Sequence, residues 1–161
     1  MTVWTPAYIG IGSNLSDPVA QVHAAFLALA SVPQTRLVLR SPLYRTRPFG
    51  PVPQDDYVNA VAGVLTGLTP HQLLAALRDI ETAQGRQRSV RWGPRTLDLD
   101  LLVQGQQRCE DETLTLPHPG IAERNFVLYP LADIAKDMHI PGVGRVGQLA
   151  AQVSDQGISL L

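Results

Sequence analysis

The ten residues from Arg47 to Asp56, RPFGPVPQDD, hold Pro48, Pro51 and Pro53 with Gly50 among them. Proline locks φ and lacks a backbone donor, so this stretch reads as a stiff exposed loop and not as a helix. It joins two apolar runs with strand character, RLVLRSPLY (36–44, interrupted by Pro42) and YVNAVAGVLT (57–66). Parallel neighbours need a crossover, usually a helix, and none fits between these strands. A doubly wound parallel sheet is therefore excluded at this point in the chain.

The flanking segments fit the antiparallel alternative. Thr5 to Gly12 reads as a strand. Asp17 is a plausible N-cap with Pro18 at the first helical position, and Val19, Val22, Phe26 and Leu29 recur at helical spacing until Pro33 ends the run. Thr69 and Gln72 form a capping box around Pro70, opening a helix through Leu73, Leu74, Leu77 and Ile80 that stops at Gly85. A strand follows at 97–103, then a turn at Gly105 to Arg108 and a short edge strand from Thr113 to Leu116. Phe126 to Leu131 is a helical or irregular apolar segment, and Val146, Leu149 and Val153 give the tail a helical pattern. The order is strand, helix, strand, strand, helix, strand. It predicts an α+β, ferredoxin-like split βαβ fold (βαββαβ): one antiparallel sheet, helices on one face and a C-terminal helical addition, in one domain over 1–161.

Composition narrows the function more by exclusion. The formal net charge is −1, so neither nucleic acid nor an anionic membrane is expected as a partner. Twelve of the thirteen basic residues are Arg and Lys136 is the single Lys, which rules out a P-loop lysine beside a Gly-rich turn. Gly10 and Gly12 begin a GxGxxG pattern, but Leu15 occupies the third position, and close strand packing explains the glycines better than a dinucleotide. With Cys109 alone, no leader-like N-terminus and no long apolar run, a cytoplasmic, soluble protein is expected, and a monomer.

The chemistry concentrates at GRQRSVRWGPRTLDLDLLV (85–103). Asp98 and Asp100, two apart on a strand, share one face, while Leu97, Leu99 and Leu101 point to the core. Adjacent carboxylates repel and lose hydration unless a cation sits between them, and hard oxygen donors suit Mg²⁺ with phosphates completing its shell. The bland alternative is a solvated face paired with Arg. Arg86, Arg88, Arg91 and Arg95 either neutralise a polyphosphate or decorate a solvated loop. Trp92 either stacks on a base or anchors a hinge. Glu81, in the last turn of its helix, opposes the helix dipole and expects either a ligand donor or an Arg partner, pairing with Arg78 being the bland version. Asn59 in an apolar strand reads a heterocycle edge or is a satisfied structural amide. His118 has no neighbours at zinc spacing, leaving a phosphate contact or a structural role. Arg124 and Phe126 offer a charge and a ring at one rim.

Residues 91–100, RWGPRTLDLD, closely resemble the signature of 6-hydroxymethyl-7,8-dihydropterin pyrophosphokinases, enzymes of folate biosynthesis. YIGIGSNL (8–15), YRT (44–46), DYVNA (56–60), Ile80-Glu81, Pro117-His118 and RNF (124–126) extend the resemblance over most of the chain, with Arg47 where the family often has proline. The resemblance implies transfer of the pyrophosphoryl group of ATP to hydroxymethyl-dihydropterin, releasing AMP. It also implies two Mg²⁺ ions on Asp98 and Asp100. Tyr57 and Phe126 would sandwich the pterin, with Trp92 closing over it and Asn59, Thr46 and Phe49 at its polar edges. Arg86, Arg95, His118 and Arg124 would meet phosphates or nucleotide. Arg88 and Trp92 would move with a closing loop, and Glu81 and Leu101 would lie on the nucleotide side. Two alternatives come from other classes: a ferredoxin-like nucleic-acid-binding module, and a metal-dependent phosphodiesterase using the same aspartates.

Overall fold

A computed structural model describes residues 3–48, 50–85 and 96–161. Phe49 and the arginine segment with Arg86, Arg88, Trp92 and Arg95 lie outside the described residues. In chain order the elements are β1 (Thr5–Ser13), α1 (Pro18–Ala30), β2 (Thr35–Arg40), β3 (Tyr44–Thr46), β4 (Tyr57–Thr66), α2 (Pro70–Ala83), β5 (Asp98–Gln104), β6 (Cys109–Glu110) and β7 (Thr115–Leu116). Then come α3 (Asn125–Ala135), β8 (His139–Ile140), β9 (Gly144–Arg145), α4 (Val146–Gln152) and β10 (Ile158–Leu160).

Capping sets the helices where the sequence places them. The Asp17 carboxylate accepts from the Ala20 N–H, and the Thr69–Gln72 box is complete in both directions. Gly85 follows α2 at φ +86°, the left-handed conformation that ends helices most easily with glycine.

The main sheet runs β10-β3-β4-β1-β5, with β2 also on β4, and every pairing is antiparallel. With β2 and β3 counted as one interrupted strand, this is the ferredoxin-like order. The interruption falls at Pro42, as expected, and Ser41 bridges it: its N–H donates to the Val61 carbonyl and its hydroxyl accepts from the Val61 N–H.

Alternation along the strands divides the interior. Ile9 and Ile11 of β1, Ala60, Ala62 and Val64 of β4, and Leu97, Leu99 and Leu101 pack against Phe26 and Leu29 of α1 and Leu73 and Leu77 of α2. Val61, Leu102 and Val103 face the other way, onto Val127 and Leu131 of α3 and Val146 of α4. The C-terminal addition is thus the lid of the second sheet face. Tyr44 donates to Asp133, tying β3 to α3.

Two local expectations change. Thr113 to Leu116 is not an edge of the main sheet: only Thr115–Leu116 is strand, paired with Cys109–Glu110 in a separate ribbon. The Asp111 carboxylate closes that ribbon by accepting from the Thr113 and Leu114 N–H groups, which competes with any longer strand. The tail also returns to the sheet, Ile158 pairing with Thr46 and Leu160 with Tyr44.

Candidate active site

Three strands build the floor. Gly12 of β1 lies opposite Asn59 of β4 and Asp98 of β5, and Gly10 lies opposite Val61 and Asp100. Alternation puts Gly10, Gly12, Asn59, Asp98 and Asp100 on one face, opposite the Leu99 and Ile11 core. Because glycine projects nothing, the floor between the amide and the two carboxylates is bare. A cavity of about 510 Å³ opens above it, walled by Thr46 and Arg47, by Tyr57, and by Arg124, Phe126 and Val127 at the start of α3. Asn59 donates from Nδ2 to Thr46 Oγ1 at 2.6 Å. That bond fixes the amide plane and leaves one N–H and the carbonyl for a ligand. The Arg124 guanidinium carbon sits 5.7 Å from the centre of the Phe126 ring.

Asp100 also lines a second cavity of about 220 Å³. Its walls are Leu74 and Arg78 of α2, Leu101, Thr113 to Thr115 of the ribbon, and His118. The His118 N–H donates to the Leu102 carbonyl, and the Gly120 N–H donates to Nδ1. The neutral ring in this assignment carries its proton on Nε2 as a donor. Burial pushes the His118 pKa down; the Asp100 charge opposes this and the Arg124 charge reinforces it.

Below the floor, α2 grips the outer edge of β5 at the residue between the aspartates. Glu81 Oε2 accepts from the Leu99 N–H at 2.8 Å, and Arg78 Nη1 donates to the Leu99 carbonyl at 2.9 Å and to Glu81 Oε1 at 2.7 Å. Both backbone groups of Leu99 are therefore held on the side that β1 does not pair. At the end of β1, Ser13 Oγ donates to the Thr96 carbonyl at 2.5 Å, while Asn14 Nδ2 donates to Gln54 Oε1 and the Asp55 carbonyl. One dipeptide thus ties both the proline loop and the entry to β5 at Thr96.

Of the residues singled out from sequence, the first cavity gathers Thr46, Tyr57, Asn59, Asp98, Asp100, Arg124 and Phe126. The second gathers Asp100, Leu101 and His118. Glu81 is among the lining residues of neither; it is buried against β5. Phe49, Arg86, Arg88, Trp92 and Arg95 lie outside the described residues. Sequence reasoning gave Gly10 and Gly12 only a packing role, placed Arg78 as a partner of Glu81, which the 2.7 Å pair bears out, but not at a cavity wall, and gave Leu74 and Thr115 no site role. Strand alternation carried the signal for the glycines, once their register against Asp98 and Asp100 is known.

That register yields a test. A Cβ on Gly12 would stand 2.8 Å from Asn59 Oδ1, and Asn59 cannot swing away without losing Thr46. Gly12→Ala is expected to weaken binding to the larger cavity roughly tenfold, about the worth of one displaced hydrogen-bonding group. Binding to the smaller cavity should hold. Calorimetric titration with each ligand separately would expose an equal loss in both, which would refute the assignment.

The two cavities meet at Asp100, the second carboxylate of the pair on β5. The pattern of 7,8-dihydro-6-hydroxymethylpterin-pyrophosphokinase (HPPK) matches residues 8–136. The 2-amino-4-hydroxy-6-hydroxymethyldihydropteridine pyrophosphokinase of Haemophilus influenzae is 47% identical over 149 residues, covering 92% of this chain and 93% of that protein. The enzyme of that name from Pseudomonas aeruginosa is 47% identical over 154 residues, with 96% and 95% covered. The solved Plasmodium falciparum HPPK-DHPS shares the fold at a TM-score of 0.72 and 13% identity, covering 94% of this chain and 41% of that one. The chain thus spans less than half of that solved chain. The chain belongs to the HPPK family.

Proposed function

We propose that this protein transfers the pyrophosphoryl group of ATP to the hydroxymethyl oxygen of 6-hydroxymethyl-7,8-dihydropterin in folate biosynthesis, releasing AMP. The observation that carries the reading is Asp100, shared by a larger cavity suited to a flat heterocycle and a smaller one suited to a nucleoside. In this reading Tyr57 and Phe126 flank the pterin and Asn59, with Thr46, reads its amide edge. Phe49 and Trp92 are assigned to the same substrate from the motif. Leu101 and Leu74 contact the nucleoside. His118 donates from Nε2 to a phosphate, and Arg124 stands between the ring on Phe126 and the phosphates. Arg86, Arg88 and Arg95 are assigned to the triphosphate on the strength of the motif.

The donor set fits a hard divalent cation: two carboxylates on one strand face, half exposed, with glycine rather than a competing side chain opposite each. Asp98 and Asp100 would hold two Mg²⁺ ions, which supply charge neutralisation across the triphosphate. The pterin hydroxyl oxygen attacks the β-phosphorus in line, the bond to the α-phosphate oxygen breaks, and the hydroxyl proton passes to solvent. Positioning and electrostatics supply the rate. The enzyme is proposed to work as a cytoplasmic monomer and as one domain over 1–161; the single cysteine suits a reducing compartment. Among the described residues no helix is long and apolar enough to cross a membrane. Neither the nucleic-acid module nor the phosphodiesterase gains support.

Incubation with Mg-ATP and the pterin should give AMP and pterin diphosphate in equal amounts, and neither without both substrates. Inorganic phosphate as product, or AMP without pterin, would defeat the proposal. Phe126→Ala should raise the pterin KM roughly 10- to 100-fold, the usual worth of an aromatic stacking partner, with the ATP KM little changed.

A further inference from the structure

A second cluster of ligating atoms, His71, Cys109 and Asp111, includes Asp111 of the smaller cavity's lining and shares no residue with the Asp98–Asp100 pair. His71 in the first turn of α2 brings Nε2 to 2.7 Å from Asp111 Oδ2. Cys109 of β6 brings its Sγ to 3.5 Å from the same oxygen. One ligand atom from each of the three lies within 4.8 Å of the others. Donors at zinc distances in a tetrahedral shell stand roughly 3.3 to 3.9 Å apart. Ligation would need the His71–Asp111 pair to open by less than about 1 Å and the His71–Cys109 pair, within 4.8 Å, to close by no more than about 1.5 Å.

The supports are already in place. Asp111 Oδ1 accepts from the Thr113 N–H at 2.9 Å, the Thr113 hydroxyl at 3.0 Å and the Leu114 N–H at 2.9 Å. Those bonds fix the carboxylate and turn Oδ2 toward both other donors, the outer-shell support metal ligands need. His71 is held by the capping box that starts α2. Cys109, paired with Leu116, is fixed by the ribbon. The site therefore joins two rigid elements and needs no loop to fold around it.

We propose that His71, Cys109 and Asp111 form a zinc site of the open type, with three protein ligands and one position left for water. The thiol and imidazole select a thiophilic borderline cation over the Mg²⁺ expected at the aspartate pair. Leu74 and Arg78 of α2 and Asp111 to Thr115 of the ribbon wall the smaller cavity from opposite sides. A cation bridging α2 to the ribbon would pin that cavity's width. The site stands on its own donors, independently of the proposed reaction.

Chelator-treated full-length protein, freed of chelator and titrated with Co²⁺, gives the test. A near-ultraviolet thiolate-to-cobalt band should appear with tetrahedral visible bands, saturate at one equivalent, and vanish on adding Zn²⁺ but not excess Mg²⁺. Cys109→Ser should abolish the near-ultraviolet band, and His71→Ala should weaken cobalt affinity at least about tenfold. Asp98→Ala should leave the band intact, which separates this site from the aspartate pair. None of the three substituted side chains is fully buried, Cys109→Ser being nearly isosteric where that side chain packs against the core, and circular dichroism checks their fold. Absence of the band, its persistence in His71→Ala, or its loss in a folded Asp98→Ala protein would overturn the proposal.

Discussion

Asp98→Ala is expected to fold as the parent does and to lose pyrophosphoryl transfer by about a thousandfold or more. The fold survives because Asp98 opens β5 on the cavity side, half exposed, while the core contacts of that strand come from Leu97, Leu99 and Leu101. In the proposed mechanism the rate falls because one of the two carboxylates that would hold metal is gone from a site that works by placing charge. Single-turnover assays across a Mg²⁺ series, with thermal melts alongside, make the check. Turnover within tenfold of the parent at unchanged Mg²⁺ dependence would remove the two-metal role. Asp100→Ala should be at least as damaging, since that residue lines both cavities and its charge draws the His118 pKa upward against burial.

Glu81→Ala is the second large effect, and it acts on a different link. Both carboxylate oxygens are spent under the floor, one on the Leu99 N–H and one on Arg78. Loss of the side chain leaves a buried backbone donor unpaired and frees Arg78, at a cost of about 3 kcal/mol, or a drop in Tm of roughly 6 to 12 °C. Because Leu99 separates the two aspartates, the pitch of both carboxylates loosens as well, and kcat should fall even in the molecules that stay folded. Glu81→Gln keeps an acceptor for Leu99 and should recover most of the Tm. A direct nucleotide role predicts the opposite division: unchanged Tm with a raised ATP KM. Melting curves and steady-state kinetics on the two variants decide between them.

Features written in short range were legible from the chain alone. The proline loop fixed antiparallel pairing between neighbours, the Thr69–Gln72 box fixed the start of α2, and alternation around Leu99 separated the carboxylate face from the core face. Features that depend on register across the sheet were not. Gly10 and Gly12 become a cavity floor only because β1 lies between Asn59 and the aspartates. Arg78 becomes part of a cavity wall only because α2 crosses the edge of β5. The return of Ile158–Leu160 to the sheet involves three residues, too few to show a period, and Pro130 inside α3 disguised a helix whose packing on Val61 outweighs the missing hydrogen bond. Glu81 showed its need for a donor but not that a backbone group on another element would supply it.

Asp100 belongs to both cavities, and that has a thermodynamic consequence. In the proposed assignment a ligand in one cavity changes the field and the hydration of a carboxylate that the other ligand also meets, so coupling between the two occupancies is expected. Whatever factor the nucleotide contributes to pterin affinity, the pterin must return to nucleotide affinity, by the closure of the binding cycle. Order of addition can then alter only the kinetic route to the ternary complex, while its stability is common property of the pair.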